Sequence, residues 1–299
     1  MLLVFTGFIS TGFSQVRFKD YVYPDLEIQR NIPYIPGQLP HKGAAAGRLD
    51  LYQPSGDTSA KRPLVIWLHG GGFKFGNKTS RGTPVWSQTF AKRGYVCAAA
   101  NYRLSKRHPL NNYKDLVMGC EQGVEDAMQV MAFFRKNAAL YRLDTSRFFL
   151  AGNSAGAMIA LQAVYSSLSD LKGLAGTPDS PEFTRKENTC QVAGIISFWG
   201  SIFDSAWMKN ARVPMVFVHG SRDRVVPLDQ KPGIAMYGSL AIHRWADSLG
   251  IPNRLKIVAG RGHELQKHFN PLWSGISAKR RQLEAGQFAA DFLYDLFFR

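Results

Sequence analysis

The chain has few acidic residues and few cysteines. Across 299 residues, 22 Asp and Glu face 37 Lys and Arg, and there are three Cys. So few cysteines exclude a small disulfide-stapled scaffold. No apolar run reaches the roughly 18 residues a membrane-spanning helix needs. No Pro/Ser linker, composition break or internal repeat divides the chain, so residues 15–299 are expected to form a single domain. No glycine-rich segment ends in G-K-[S/T], which argues against a phosphate loop. His263 and His268 stand at i and i+5 rather than i and i+4, so a helix would not bring them onto one face, and zinc is rejected. Nothing else calls for a metal or an organic cofactor.

The shortage of acid leaves a formal charge of +15. Small basic clusters occur at Lys61-Arg62, Arg185-Lys186 and Lys279 to Arg281. No nucleic-acid-binding motif accompanies them, so nucleic acid is not an expected partner. The plain reading is a solvated basic surface. The sharper one is attraction to acidic polysaccharides, anionic cell surfaces or negatively charged substrates. The oligomeric state is not readable.

At the N-terminus, Met1 to Phe8 is almost wholly apolar, and Gly12 and Ser14 place small residues at −3 and −1 of a cut before Gln15. This pattern is that of a secretory signal peptide over residues 1–14, truncated because the positive n-region is missing. It implies a secreted or periplasmic protein; the alternative is a frayed apolar end. In an oxidising compartment Cys120 and Cys190 could pair, while Cys97 reads as a small buried hydrophobe.

The chain is 45% hydrophobic and 12% aromatic, enough for a sizeable core. Apolar runs of strand length alternate with helical patterns. Strands are expected at 28–34, 48–53, 64–68, 95–101, 147–151, 193–199, 214–218 and 254–258. Helices are expected at 83–93, 113–138, 155–167, 235–249 and 283–298. This rhythm predicts an α/β fold with a mostly parallel central sheet covered on both faces. The polar stretch Ser166 to Gln191 reads as a surface loop. Between Trp199 and Pro214 there is no room for a large cap domain.

Two glycine-rich segments each follow an apolar strand. Gly152-Asn153-Ser154-Ala155-Gly156 follows Phe148 to Ala151, and His69-Gly70-Gly71-Gly72-Phe73 follows Leu64 to Leu68. The first is G-x-S-x-G at a strand-to-helix turn, which lifts the Ser154 hydroxyl above the sheet edge. The second leaves bare backbone N–H groups able to face an oxyanion. A serine nucleophile needs a base, and the base an orienting acid, in the order Ser, Asp/Glu, His. Asp223, in His219-Gly220-Ser221-Arg222-Asp223, is the acid chosen. Its rivals are Asp204 and Asp229. His263, in Gly260-Arg261-Gly262-His263, is the base. His219 and His69 read as structural, and His243 as a surface or packing residue.

With these segments in this order, the chain resembles the α/β-hydrolase fold, and within it the serine esterases and lipases with an HGGG oxyanion motif. It is most similar to the small capless feruloyl-esterase-like and acetyl-xylan-esterase-like carboxylesterases. The resemblance spans roughly residues 45 to 298 and includes Gly47 to Pro54. It implies a triad of Ser154, Asp223 and His263, with oxyanion donors at Ala155, Gly71 and Gly72; which of Gly70, Gly71 and Gly72 donate stays open. Asn153 departs from the pattern, which more often has an acidic residue or His there. Phe73, Trp199, Phe203 and Trp273 are candidates for a substrate pocket or for the core. The implied activity is carboxylic ester hydrolysis without a cofactor, on short-acyl or aromatic-acyl esters that could be small molecules or polysaccharide side groups. The alternatives are an amidase or peptidase of the same fold, arylformamidase-like or prolyl-peptidase-like, and a non-catalytic binding module.

Overall fold

The structure is a computed structural model describing residues 15–35, 47–80, 82–177, 191–268, 270 and 275–299. The signal-like segment 1–14, Cys190, Trp273 and the Arg185-Lys186 cluster lie outside the described residues.

Eight strands form the central sheet in the order β1-β2-β4-β3-β5-β6-β8-β10. They are β1 (Leu26–Pro33), β2 (Arg48–Pro54), β3 (Arg62–Leu68), β4 (Val96–Ala100), β5 (Leu143–Asn153), β6 (Gly194–Phe198), β8 (Met215–Gly220) and β10 (Asn253–Val258). β1 and β2 pair antiparallel, as do β2 and β4, and every other pairing is parallel. Two further strands, β7 (Ser201–Ile202) and β9 (Tyr237–Gly238), pair antiparallel beside the sheet.

Helices cover both faces: α1 (Gly82–Ala91), α2 (Tyr113–Lys136), α3 (Ala155–Tyr165), α4 (Leu168–Ala175), α5 (Ser239–Ser248) and α6 (Ile276–Phe297). Strand periodicity divides the core. Leu64, Ile66 and Leu68 of β3 join the cluster that contains the buried side chains of α2, α3 and α4. Val65 and Trp67 join the cluster that contains those of α1 and α6. Successive strand side chains point to opposite faces, so a strand buried on both sides is apolar throughout.

The elements differ from expectation in three places. Ser166 to Gln191 is not all loop. Ser167 and Asp170 form a reciprocal capping box that starts α4, and Gly176, at φ 71°, ends it. The helix expected from residue 235 starts at Ser239, because Tyr237 and Gly238 extend to pair with β7. A Cβ on Gly238 would lie 1.8 Å from the Pro227 carbonyl oxygen, so only glycine permits that approach. The last helix begins at Ile276, well before residue 283. Between β6 and β8 there is only β7 and a 3₁₀ turn, Ser205–Lys209. Among the described residues, no helix is long and apolar enough to cross a membrane.

Candidate active site

The strand β5 ends at Asn153 and α3 begins at Ala155, so Ser154 alone makes the turn. Its backbone is held at φ 52°, ψ −122°, a conformation that costs a non-glycine residue of order 1–3 kcal/mol. The surrounding structure enforces it: Ser154 N–H donates to Phe198 O at 2.9 Å, and Met158 N–H to Ser154 O at 3.0 Å. The flanking glycines follow from contact. A Cβ on Gly152 would lie 2.3 Å from the Gly156 carbonyl carbon, and one on Gly156 would lie 2.0 Å from Leu68 O. The turn is too tight for either.

β8 and β10 are parallel neighbours, so the loops leaving their C-terminal ends run side by side. Arg222 N–H donates to Arg261 O at 2.7 Å, fixing one loop against the other. One loop carries Asp223 and the other His263. The His263 ring lies with Nε2 2.9 Å from Ser154 Oγ and Nδ1 2.8 Å from Asp223 Oδ2. Because a carboxylate only accepts, Nδ1 carries the proton and Nε2 faces the hydroxyl as a base. His263 and the side chain of Asp223 are buried, and Ser154 is only 7% exposed. Burial pushes the Asp223 carboxyl up, but hydrogen bonds from His219 and His263 outweigh it and hold the carboxyl well below the usual carboxylate range. Its other oxygen accepts the backbone N–H groups of Val225 and Val226 at 2.9 and 3.0 Å.

The rival carboxylates lie elsewhere. Asp204 caps the 3₁₀ turn by accepting Ala206 N–H, and Asp229 pairs with Arg244. His243 bonds Asn253 and lies 3.6 Å from Asp247, away from the triad.

The HGGGF segment lies beside the serine. Gly71 and Gly72 have φ of 128° and 61°, and a Cβ on Gly71 would lie 2.0 Å from Phe75 O. Gly70 N–H is occupied by Asn153 Oδ1 at 3.1 Å. The amides of Gly71 and Gly72 have no acceptor among the described residues. Ala155, as the first residue of α3, has no intrahelical acceptor for its N–H. Of the three glycine amides, that of Gly70 is taken by Asn153, so it is not available to a substrate oxygen. His69 Nδ1 donates to Gly70 O at 2.8 Å, and its ring stacks on Tyr102 at 4.3 Å. Burial pulls the His69 pKa down to about 4, so the ring stays neutral as a structural donor.

The expected aromatic pocket is corrected. Phe73, Trp199 and Phe203 have no exposed surface. Phe73 packs edge-on to Tyr102, Trp199 beside Trp86 and Phe198, and Phe203 edge-on to Tyr113. All three fill the core where the loops leave the sheet. Exposed apolar surface comes instead from Phe75, Leu110 and Val225, which no motif singles out. Leu110 lies over the oxyanion loop, with its Cδ2 2.3 Å from the point where a Gly72 Cβ would stand. A cavity of about 310 Å³ opens between loop 103–107 and Met118 and Gln122 of α2, without Ser154 or His263 in its wall.

Residues 49–208 match the BD-FAE family, more than half of the chain. The chain belongs to the BD-FAE family. The matched region carries the HGGGF and G-x-S-x-G segments and stops before Asp223 and His263, which only the tertiary structure of this BD-FAE chain brings to Ser154. A probable isoprenylcysteine alpha-carbonyl methylesterase of Oryza sativa subsp. japonica is 33% identical over 159 residues, covering 53% of this chain and 32% of that protein. A probable carboxylic ester hydrolase, LipM, of Mycobacterium tuberculosis is 28% identical over 174 residues, covering 57% of this chain and 35% of its own length. The chain thus spans about a third of the length of these curated relatives. Among solved structures, Thermogutta terrifontis esterase 2 phosphorylated by paraoxon superposes with a TM-score of 0.62 at 22% identity, over 95% of this chain and 98% of that one. That similarity shows the α/β-hydrolase fold.

The contacts of two residues beside the triad are not legible in the sequence of this BD-FAE chain. Asn153 was visible only as a departure from a pattern, and its bond to Gly70 crosses 83 positions of chain. His219 was legible as structural, but not as a neighbour of Asp223.

Proposed function

We propose that the protein is a serine-dependent carboxylic ester hydrolase that works through an acyl-enzyme. The observation that carries this reading is the relay from Ser154 Oγ through His263 to Asp223, at 2.9 and 2.8 Å, beside the free amides of Gly71, Gly72 and Ala155. Ser154 Oγ attacks the ester carbonyl as His263 Nε2 takes its proton. The three amides meet the oxyanion that forms, each such donor being worth on the order of 3 kcal/mol in the transition state. The tetrahedral intermediate collapses as His263 returns the proton to the departing alcohol. A water then gives its proton to His263 and attacks the acyl carbonyl; as the bond to Ser154 Oγ breaks, His263 passes that proton to Oγ and the acid is freed. Asp223 keeps Nδ1 protonated throughout and stabilises the imidazolium.

The substrates proposed are short-acyl or aromatic-acyl esters, free or attached to polysaccharide. Support comes from the esterase names of the relatives. Export belongs to the same proposal and rests on the apolar Met1 to Phe8 and the small residues at 12 and 14. Sequencing the N-terminus of the exported protein checks it.

The test is initial-rate hydrolysis of p-nitrophenyl acetate, butyrate and octanoate by wild type and Ser154→Ala. Saturable turnover that vanishes in the variant is expected, fastest on the short chains. Equal rates for the two folded proteins would sink the reading and shift weight to amide substrates or a binding role.

A further inference from the structure

Asp223 has a second histidine. His219 is fully buried at the C-terminal end of β8, with Nε2 3.1 Å from Val226 O and 3.4 Å from Asp223 Oδ2. Both atoms accept, so Nε2 carries the proton and shares it between them. The opposite ring nitrogen, Nδ1, lies 2.8 Å from Ser239 Oγ, at the first position of α5 and also fully buried. With Nε2 protonated, a neutral ring accepts the Ser239 hydroxyl proton at Nδ1. The result is a linear array, Ser154–His263–Asp223–His219–Ser239, with two serine–histidine pairs converging on one carboxylate. One pair is at the mouth of the site. The other is sealed and cannot meet substrate.

We propose that His219, its tautomer set by the Val226 carbonyl and the Asp223 carboxylate and its ring oriented by Ser239, is a positioning residue that holds Asp223 and sets how strongly that carboxylate supports His263. The inference rests on the ester-hydrolase reading. Its physical basis is the sharing of one acceptor. Asp223 Oδ2 receives His263 Nδ1–H and faces His219 Nε2–H, while Oδ1 is held by two backbone amides. A donor that draws on Oδ2 weakens its hold on the imidazolium that forms on His263. Among the described residues, the groups that face His219 are Asp223 in its own loop, Ser239 from α5 and the Val226 carbonyl, and the titratable groups that act most on Asp223 are His219 and His263.

The decisive experiment is the pH profile of kcat/KM on p-nitrophenyl acetate for wild type, His219→Ala, His219→Gln and Ser239→Ala, with Ser154→Ala alongside. His219→Ala is expected to lower kcat about tenfold to a hundredfold with KM little changed. Its acid limb should move to higher pH by about half to one unit, because Asp223 then stabilises the His263 imidazolium more strongly. His219→Gln restores an N–H toward Asp223 and should return the limb toward wild type. Ser239→Ala should fall between them. A folded His219→Ala with an unmoved limb would overturn the proposal, whether or not the rate falls. If His219→Ala does not fold, an unmoved limb in Ser239→Ala overturns it equally. The downfield NMR proton of the His263–Asp223 hydrogen bond gives a readout that needs no turnover: it should shift in Ser239→Ala, and an unshifted resonance counts against the proposal. Failure of the ester-hydrolase reading is seen separately, as Ser154→Ala retaining the wild-type rate.

Discussion

The side-chain oxygen of Asn153 holds the backbone N–H of Gly70 at 3.1 Å, tying the nucleophile turn to the oxyanion loop. The residue before the serine therefore sets the position of the loop that faces it. It also takes up one N–H of the three-glycine run, whereas those of Gly71 and Gly72 have no acceptor among the described residues.

Asn153→Ala should free that loop. A drop in kcat of about tenfold is expected, smaller than the hundredfold to thousandfold loss of an oxyanion donor itself. Asn153→Asp keeps the acceptor and should lose less. Steady-state kinetics on one ester for both variants checks the order, and equal losses would count against the clamp.

The acid can be tested against its rival. Asp223→Asn should lower kcat about ten-thousandfold with the fold intact, because His263 loses the partner that fixes its tautomer. Asp204→Asn keeps the oxygen that caps a 3₁₀ turn, away from the triad, and should leave kcat near wild type. Circular dichroism and initial rates on both variants decide the assignment.

Gly156→Ala should destabilise the protein by about 3 kcal/mol or more. The added Cβ would stand 2.0 Å from Leu68 O, a backbone atom at the end of the central strand β3 that cannot swing aside. Thermal or urea unfolding reads the loss, and a wild-type midpoint would mean that the turn is looser than its contacts indicate.

Acid should weaken the fold through His69. Burial holds its folded pKa at about 4 against an ordinary value of 6.5. The unfolded chain therefore binds a proton that the folded one refuses. The contribution is fully present above about pH 6.5 and is lost as pH falls toward 4, a change of about 3 kcal/mol. Urea midpoints measured across this window should fall in wild type and fall less in His69→Gln.

Cys97 and Cys120 are free, buried thiols, and burial pushes both thiol pKa values well up. Neither should react with a disulfide reagent in the native protein, and both should react after unfolding. Reaction of either in the native state, located by mass spectrometry, would contradict their burial.

Much of this protein is local information. A strand buried on both faces must be apolar throughout, and a helix must carry an apolar stripe, so the element order could be read from β3 and α2 directly. The turns at Gly152 to Gly156 and Gly71 to Gly72 need glycine because backbone crosses backbone there, and this is why the motifs mark them. Ser167 and Asp170 also signalled α4, since a capping box lies within four residues, but the polar composition of that stretch hid it. What the sequence could not decide is what depends on distant partners. Asp223 and His263 are 40 residues apart, and only the parallel pairing of β8 with β10 makes their loops neighbours. Phe73, Trp199 and Phe203 became core rather than pocket because burial depends on what packs above them. Asn153 and His219 gained their parts from Gly70 and Asp223, contacts that no single stretch of chain contains. Residue types and turns were set by local geometry and hydrophobic period, whereas the hydrogen-bonded array around Asp223 exists only where the folded loops converge.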